Sequence, residues 1–281
     1  MIMIHQSGRN AAMFDMDAMR KRIAAPPLIA EKDQYLIKFA VTEGEIEDAF
    51  RLRYAVFNVE QGKGLSSSTN GIDKDPFDAV CLHLIVVRKN DNRVAGTYRI
   101  HFGETAIHSK LGFYSEQEFA ITGLDRIASE SIEVGRSCVA PDSRNGTVMA
   151  LLWSGISGLI CRSRQRYLLG CVSLEETDPS AGWTLYEFFK ENGYLHPDIT
   201  AVPRKGYELA PGDPERIRQN LNDRRTMIRL IPPLFKGYLR LGAKICGVPA
   251  YDFEFGSIDF FIILDVHKIP ERYMKHFNVE T

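Results

Sequence analysis

Apolar and polar residues follow one another along the chain in short runs that predict several strands. Apolar runs at residues 35–41, 80–87 and 94–100 have the length and β-branched content typical of strands. The polar turn Asn90-Asp91-Asn92 separates the last two runs, so the pattern predicts a hairpin there.

Helical spacing appears between these strands and after them. A helix is predicted over residues 43–57, with Thr42 as its N-cap and Glu45 in the capping-box position. The later elements are predicted as strand 132–139, helix 146–164, strand 167–174, helix 182–192, helix 232–246 and strand 258–266. Antiparallel strands followed by strand, helix and strand predict a mixed-sheet α/β layer fold with flanking helices.

The domain organisation is predicted to be simple. Residues 1–33 have the character of a partly disordered N-terminal arm, with a short amphipathic piece before the break Ala24-Ala25-Pro26-Pro27. Residues 34–281 contain no linker, so they are expected to form one domain. Contact of the arm with a membrane surface is the alternative interpretation of its amphipathic piece.

Composition narrows the class of protein. Hydrophobic types make up 44% of the 281 residues, enough for a substantial core, and the net charge is -1. The five cysteines are widely spaced without a CxxC pair, so neither a zinc site nor a disulfide framework is indicated. No secretory signal is visible, and the apolar stretch 148–161 is shorter than the roughly 18 residues of a membrane span. We therefore expect a cytoplasmic protein without a bound metal, with peripheral contact to the inner membrane left open.

One part of the chain is strongly basic. Residues 216–244 hold eight lysines and arginines against the single acid Asp223. Such a surface would suit an acidic carrier protein or anionic lipid headgroups, and a solvated helix face is the plain alternative. No stacking platform or nucleic-acid module accompanies these bases, so nucleic acid is not an expected partner.

Two segments carry candidate chemistry. Glu133 and Arg136 lie three residues apart on a predicted strand, so they face one site only if the strand bulges, most easily at Gly135. The following turn places Arg144 and the amides of Asn145, Gly146 and Thr147 at a helix start, where they could hold the phosphate of a coenzyme or a pantetheine arm. An ordinary capped helix start is the alternative for this turn.

Several stretches together resemble the bacterial L-ornithine N-alpha-acyltransferases, relatives of the acyl-homoserine-lactone autoinducer synthases with a GNAT-like fold. The matching segments are residues 52–57, 77–84, 94–99, 112–115, 133–139 and 232–243, in family order. Functional positions of the autoinducer branch fall on Arg53, Asp75, Asp78, Arg99, Glu133 and Arg136. The resemblance implies that these six residues line the acceptor site.

The resemblance also implies a reaction, the transfer of a (3-hydroxy)fatty acyl group from a thioester to the α-amine of an amino acid, most simply ornithine. Glu133 is then the candidate base, with a raised pKa in a partly buried site and Arg136 orienting it. Arg53 or Arg99 would bind the acceptor's carboxylate, and Asp75 with Asp78 its side-chain ammonium.

The sequence specifies the acyl donor and the amine acceptor less closely than the reaction. The GNAT phosphate loop is incomplete at residues 144–147, which favours acyl carrier protein over coenzyme A as the carrier of the acyl-phosphopantetheine co-substrate. No permanently bound cofactor is expected. Residues 170–179 and 185–189 depart from the ornithine enzymes, so an autoinducer-type synthase acylating another amine stays an alternative. A non-catalytic module that binds an acyl carrier or a membrane is the third interpretation.

Overall fold

The apolar strands join into one mixed sheet in the computed structural model, which describes residues 28–272 apart from 67, 69 and 164. Within these residues the sheet has nine strands, in the spatial order β1-β2-β3-β4-β6-β7-β11-β10, with β9 also pairing β11. They are β1 (Leu28–Lys32), β2 (Tyr35–Phe39), β3 (Leu82–Arg88), β4 (Arg93–Phe102), β6 (Ser131–Val139), β7 (Tyr167–Leu174), β9 (Lys244–Ile245), β10 (Ala250–Asp252) and β11 (Ser257–Asp265). Strands β5 (Phe119–Thr122) and β8 (Thr200–Pro203) pair separately.

The first strand changes one predicted boundary. Strand β1 pairs antiparallel with β2, so the sheet begins inside the segment predicted as an arm of residues 1–33. The backbone from residue 28 therefore belongs to the domain. The rest of the predicted arm, with its expected disorder, lies outside the described residues.

Seven α-helices occur in the part of the chain that the structure describes. They are α1 (Glu43–Tyr54), α2 (Gly103–Ser109), α3 (Thr147–Ser163), α4 (Pro179–Glu191), α5 (Pro214–Asn222), α6 (Arg224–Leu230) and α7 (Pro233–Leu241). The predicted capping box of α1 is confirmed, because Thr42 and Glu45 bond each other's backbone amides. The helix predicted over 232–246 was too long: Gly242, in the left-handed conformation at φ 99°, ends α7 after Leu241, and the chain then enters β9.

The two faces of the sheet are covered differently. Helices α3, α4 and α7 pack on one face, where Leu152, Phe189 and Phe235 are fully buried. Irregular segments and the β5–β8 pair cover the opposite face around Phe119 and Phe261. Each such buried side chain contributes roughly 1.5–3 kcal/mol of stabilisation. No helix among the described residues is both long enough and apolar enough to cross a bilayer.

Two central strands separate from each other near the middle of the sheet. Strands β6 and β7 pair in parallel only from Ser131 to Glu133, although both continue for several residues. Gly170 lies at the point of separation with φ 154°, and a Cβ there would come within 2.5 Å of the Val134 carbonyl oxygen. A side chain at this position would therefore push the strands apart. The separation opens a gap in the sheet.

Candidate functional site

A cavity of about 590 Å³ occupies the gap between β6 and β7. Its lining on the helical side is largely apolar and includes Val172, Leu174, Leu230, Leu234 and Tyr238. Its lining on the opposite side is polar and charged. A cavity with this division can hold a molecule that is apolar at one end and ionic at the other.

The polar side brings together three of the residues predicted for the acceptor site. Arg99, Glu133 and Arg136 all line the cavity. Asp75 lines an adjoining cavity of about 360 Å³, which shares Phe77, Tyr114, Glu118 and Asp252 with the first. Arg53 and Asp78 line neither of these two cavities.

Glu133 is held by a loop that crosses the polar side. Its carboxylate accepts hydrogen bonds from the Tyr114 amide at 2.6 Å, the Ser115 amide at 2.8 Å and the Ser115 hydroxyl at 2.5 Å. Burial disfavours the charged carboxylate, but His101 and the Ser115 donors outweigh burial and hold the pKa of Glu133 below its usual value. The expectation of a raised pKa at Glu133 was therefore wrong, because buried donors compensate the loss of water.

The predicted bulge lies one residue after Gly135. The register between β4 and β6 shifts between Thr97 and Arg99, so that Arg136 and Ser137 oppose the single residue Tyr98. Arg136 takes up the irregularity with a left-handed φ of 51°. The predicted irregularity of the strand is confirmed, and Glu133 and Arg136 both line the cavity.

Arg136 is not held by the predicted contact with Glu133 but by two aromatic rings and an aspartate. Its guanidinium carbon lies 4.8 Å from the Phe57 ring centre and 4.6 Å from that of Phe255, and it forms an ion pair with Asp73. No hydrogen bond or ion pair in the described part of the structure joins it to Glu133, so the expectation that Arg136 orients Glu133 was wrong. Its Nε has no hydrogen-bond partner among the described residues.

A charge-balanced network lies beneath the polar side. Arg53, only 1% exposed, bonds Asp73 at 2.8 Å through Nε and Asp78 at 2.7 Å through Nη1. Arg99 bonds Asp75 at 2.5 Å and Asp78 at 3.3 Å. Burial opposes the charge on Asp78, but Arg53 and Arg99 hold the pKa of its carboxyl well below the usual range. With Arg136 on Asp73, three guanidinium groups offset three carboxylates.

Three further carboxylates line the cavity and were not anticipated. Glu118, Asp252 and Asp259 are all buried, and carboxylate oxygens from the three lie within 4.8 Å of one another. Burial and mutual repulsion raise the pKa of Glu118, and burial with the charge of Asp252 raises that of Asp259 to about 6. The sequence held one signal for them, an aspartate at position 259 inside an apolar strand.

The residues of the predicted phosphate turn line neither cavity. Arg144 donates to both carboxylate oxygens of Glu60, at 2.6 and 2.7 Å, and the Thr147 amide donates to the Asn145 side chain. Gly146 takes φ 86° in this turn. Arg144, Asn145, Gly146 and Thr147 are absent from the linings of the two cavities.

The cysteines near the cavity are not poised for chemistry. Cys138 does not line the cavity, and burial raises the pKa of its thiol to about 12. Cys171 does line it, but burial and the nearby carboxylates raise the pKa of its thiol well above the usual value. Neither thiol supplies a thiolate at neutral pH, so direct transfer is favoured over an acyl-cysteine intermediate.

Comparisons with known proteins identify relatives over most of the chain. The acetyltransferase (GNAT) domain model matches residues 52–154, which confirms the predicted fold class together with the mixed sheet. The L-ornithine N(alpha)-acyltransferase of Agrobacterium fabrum is 33% identical over 87% of this chain and 85% of its own length. That of Brucella abortus is 32% identical over 87% of this chain and 89% of its own length. The CoA-dependent acyl-homoserine lactone synthase BjaI is a structural neighbour at 14% identity and a TM-score of 0.46, covering 84% of this chain and 81% of its own.

Proposed function

This chain belongs to the L-ornithine N(alpha)-acyltransferase family, and from that premise we propose that it moves a fatty acyl group from a carrier thioester to the α-amine of ornithine. The product is a lyso-aminolipid, and the 3-hydroxyacyl form is the donor that the resemblance implies. One observation carries the proposal: a single cavity joins an apolar side to a side lined by Arg99, Glu133 and Arg136.

The acceptor is proposed to bind on the polar side. Arg136 faces the cavity with a buried Nε that has no partner among the described residues, so it is suited to bind the acceptor's carboxylate. Arg99 adds positive charge beside it, although its Nη1 already bonds Asp75 and Asp78. Arg53 and Asp78 then position these arginines from beneath and do not touch the substrate.

Glu133 is proposed to receive the proton of the attacking amine. An α-amine is mostly protonated at neutral pH, and a carboxylate offers about four acceptor positions. Three of the positions on Glu133 are filled by Tyr114 and Ser115, and the remaining one is on Oε2, which lies 3.8 Å from Nδ1 of His101. The low pKa keeps the carboxylate charged, so it attracts the ammonium and takes its proton directly or through water.

The chemical step is then direct aminolysis of the thioester. The amine nitrogen bonds to the thioester carbonyl carbon, the carbon–sulfur bond breaks, and the leaving thiolate takes up a proton. Strand β6 has no β7 partner beyond Glu133, so backbone amides on that edge are available to the developing oxyanion. The acyl chain lies along the apolar lining formed by Val172, Leu174, Leu230, Leu234 and Tyr238.

Acyl carrier protein is the proposed donor. Arg144 is already paired with Glu60, so the turn at 144–147 offers few hydrogen-bond donors for binding a pyrophosphate. Helix α6 instead places Arg224, Arg225 and Arg229 on the surface, and Arg229 lines the cavity itself. A basic surface at the entrance is suited to an acidic carrier, and it also suits anionic headgroups if the enzyme contacts a membrane.

Release of carrier thiol tests this proposal. Purified protein is incubated with 3-hydroxyacyl carrier protein and each member of a panel of amino acids and amines. Thiol release that depends on ornithine, with N-acylornithine detected by mass spectrometry, is the expected result. Release with S-adenosylmethionine or another amine alone would assign an autoinducer-type reaction, and no release with any amine would refute catalysis.

A further inference from the structure

Three buried carboxyl groups on the acceptor side of the cavity have no arginine or lysine partner among the described residues. Glu118, Asp252 and Asp259 come from separate parts of the chain and meet where the cavity ends against β10 and β11. No salt bridge among the described residues involves any of the three, whereas Asp73, Asp75 and Asp78 each bond an arginine. This carboxylate cluster therefore has no ion-pair partner among the described residues, and burial raises the pKa of both Glu118 and Asp259.

The individual contacts of the cluster leave one atom without a partner. Asp252 accepts the amides of Glu254 and Phe255. Asp259 accepts the Ser257 hydroxyl at 3.0 Å and is also hydrogen-bonded to the side chains of Ser173 and Glu118. Glu118 is 3% exposed, and its Oε2 has no hydrogen-bond partner in the described part of the structure. A buried carboxylate oxygen without a donor is costly, so a donor from outside the chain would be bound strongly.

A second observation comes from the other charged group of the cavity. The Nε of Arg136 is also buried and without a partner among the described residues, and it lines the same cavity. An unpaired guanidinium donor and an unpaired carboxylate acceptor thus belong to two residues that line one cavity, with Glu133 also on its lining. The arrangement is complementary to a small molecule that has a carboxylate, a reacting amine and a second cation.

We propose that Glu118, Asp252 and Asp259 bind the side-chain ammonium of the acceptor amino acid and so select a diamino acid over neutral ones. This inference rests on the proposed transfer to an amino acid, and it gives the ammonium role expected of Asp75 and Asp78 to a different set of residues. Those two aspartates are already paired with Arg99 and Arg53. An ammonium donates three hydrogen bonds, which fits three converging carboxylates.

The test compares ornithine with norvaline, which has the same carbon chain without the terminal amine. The wild-type enzyme, supplied with acyl carrier protein, is expected to show a kcat/KM for ornithine at least about 100-fold above that for norvaline, because a desolvated charge pair is lost with norvaline. Comparable values for the two acceptors would overturn the inference without any variant. Acylation of ornithine at any such ratio would leave the proposed function intact.

Two isosteric variants test whether the carboxylate cluster binds the side-chain ammonium. Glu118→Gln and Asp259→Asn are each expected to lower kcat/KM for ornithine by about 100-fold while changing that for norvaline only severalfold. Glu208→Gln removes an exposed carboxylate outside both cavities and is expected to leave both values unchanged. An equal loss for both acceptors in both variants would assign the cluster a structural role and overturn the inference.

A divalent cation is the competing occupant of three carboxylates. The wild-type enzyme is therefore assayed after EDTA treatment and after addition of Mg²⁺ or Mn²⁺. Unchanged preference for ornithine in EDTA is the expected result. A loss of activity that Mg²⁺ or Mn²⁺ restores, and that the Asp259→Asn variant does not show, would assign the cluster to metal binding instead.

Discussion

At the scale of single residues, the protonation state of each buried carboxylate depends on which hydrogen-bond donors contact it. Glu133 and Asp259 are both buried in the same cavity, yet their pKa values move in opposite directions. Glu133 accepts three hydrogen bonds from a loop, whereas Asp259 faces two other carboxylates. Burial alone therefore does not decide the charge of an acid in this site.

The raised pKa of Asp259 makes a prediction about stability. Its carboxyl keeps a proton in the folded state up to about pH 6, while the unfolded chain loses it near pH 4. The folded state binds more protons in that window, so its stability falls as pH rises from about 4 to 6. Asp259→Asn removes this loss and is expected to raise the free energy of unfolding at pH 8 by up to about 3 kcal/mol.

Urea unfolding of the ligand-free enzyme at pH 4 and pH 8 measures the effect of Asp259→Asn. Little difference from wild type is expected at pH 4, where the aspartic acid is already neutral. A destabilised variant at pH 8 would contradict the prediction, because it would mean that a charged Asp259 carboxylate is stabilised by its surroundings.

Sequence reasoning found the residues of the site that lie on recognisable segments. Glu133, Arg99 and Arg136 share one cavity as predicted, because strands β4 and β6 are neighbours. The partners in buried ion pairs were not predictable, because tertiary packing determines them. No local pattern indicates that Asp78 pairs with Arg53, twenty-five positions away. Glu118, Asp252 and Asp259 were missed for the same reason, since their convergence depends on how β10 and β11 meet the segment before β5.

At the scale of elements, the network beneath the cavity ties helix α1 to strands β4 and β6. Arg53 lies on α1, Arg99 on β4 and Arg136 on β6, while Asp73, Asp75 and Asp78 come from one connecting segment. Removing one partner of a buried ion pair leaves the other charge uncompensated. The network therefore couples the placement of the arginines to the stability of the fold.

Asp78→Asn tests this coupling. The variant is expected to lose about 3–5 kcal/mol of unfolding free energy at pH 7, because Arg53 and Arg99 lose a shared carboxylate. The low folded-state pKa of Asp78 means that its contribution is present above pH 4 and is lost as pH falls further. Urea denaturation gives the value, with Asp142→Asn at the exposed Arg88 pair as the matched control, where a much smaller loss is expected. Equal losses in the two variants would contradict a special role for the network.

Element boundaries were predictable where local chemistry sets them. The capping box fixed the start of α1, and the hairpin β3–β4 followed from its apolar runs and polar turn. The end of α7 was misjudged although Gly242 marks it, because apolar spacing continues past the glycine into β9. The bulge was expected at Gly135, but Arg136 takes the left-handed conformation because its contacts with Phe57, Phe255 and Asp73 hold it there.

At the scale of the whole molecule, the proposed function places the two substrates on opposite faces of the sheet. The acyl chain and its carrier are assigned to the side of α6 and α7, and the amino acid to the opposite side. We propose that the two meet in the gap between β6 and β7. The family and the fold class were both predictable from ordered sequence segments, and both are confirmed.

The proposed carrier surface predicts a dependence on donor and salt. Arg224→Glu with Arg225→Glu is expected to raise KM for acyl carrier protein by about tenfold and to weaken its salt dependence. The same double variant should leave turnover with an acyl-coenzyme A donor nearly unchanged, because neither arginine lines the cavity. Steady-state kinetics at two ionic strengths measure this, and equal effects on both donors would contradict a carrier surface.

The most direct test of the account is the turnover of Glu133→Gln. Single-turnover release of carrier thiol in the presence of ornithine is compared between wild type, Glu133→Gln and Cys138→Ala, with circular dichroism to confirm folding. A loss of about 10²–10⁴-fold is expected for Glu133→Gln and none for Cys138→Ala, whose buried thiol lies outside the cavity. Near-normal thiol release by a folded Glu133→Gln enzyme would contradict this expectation.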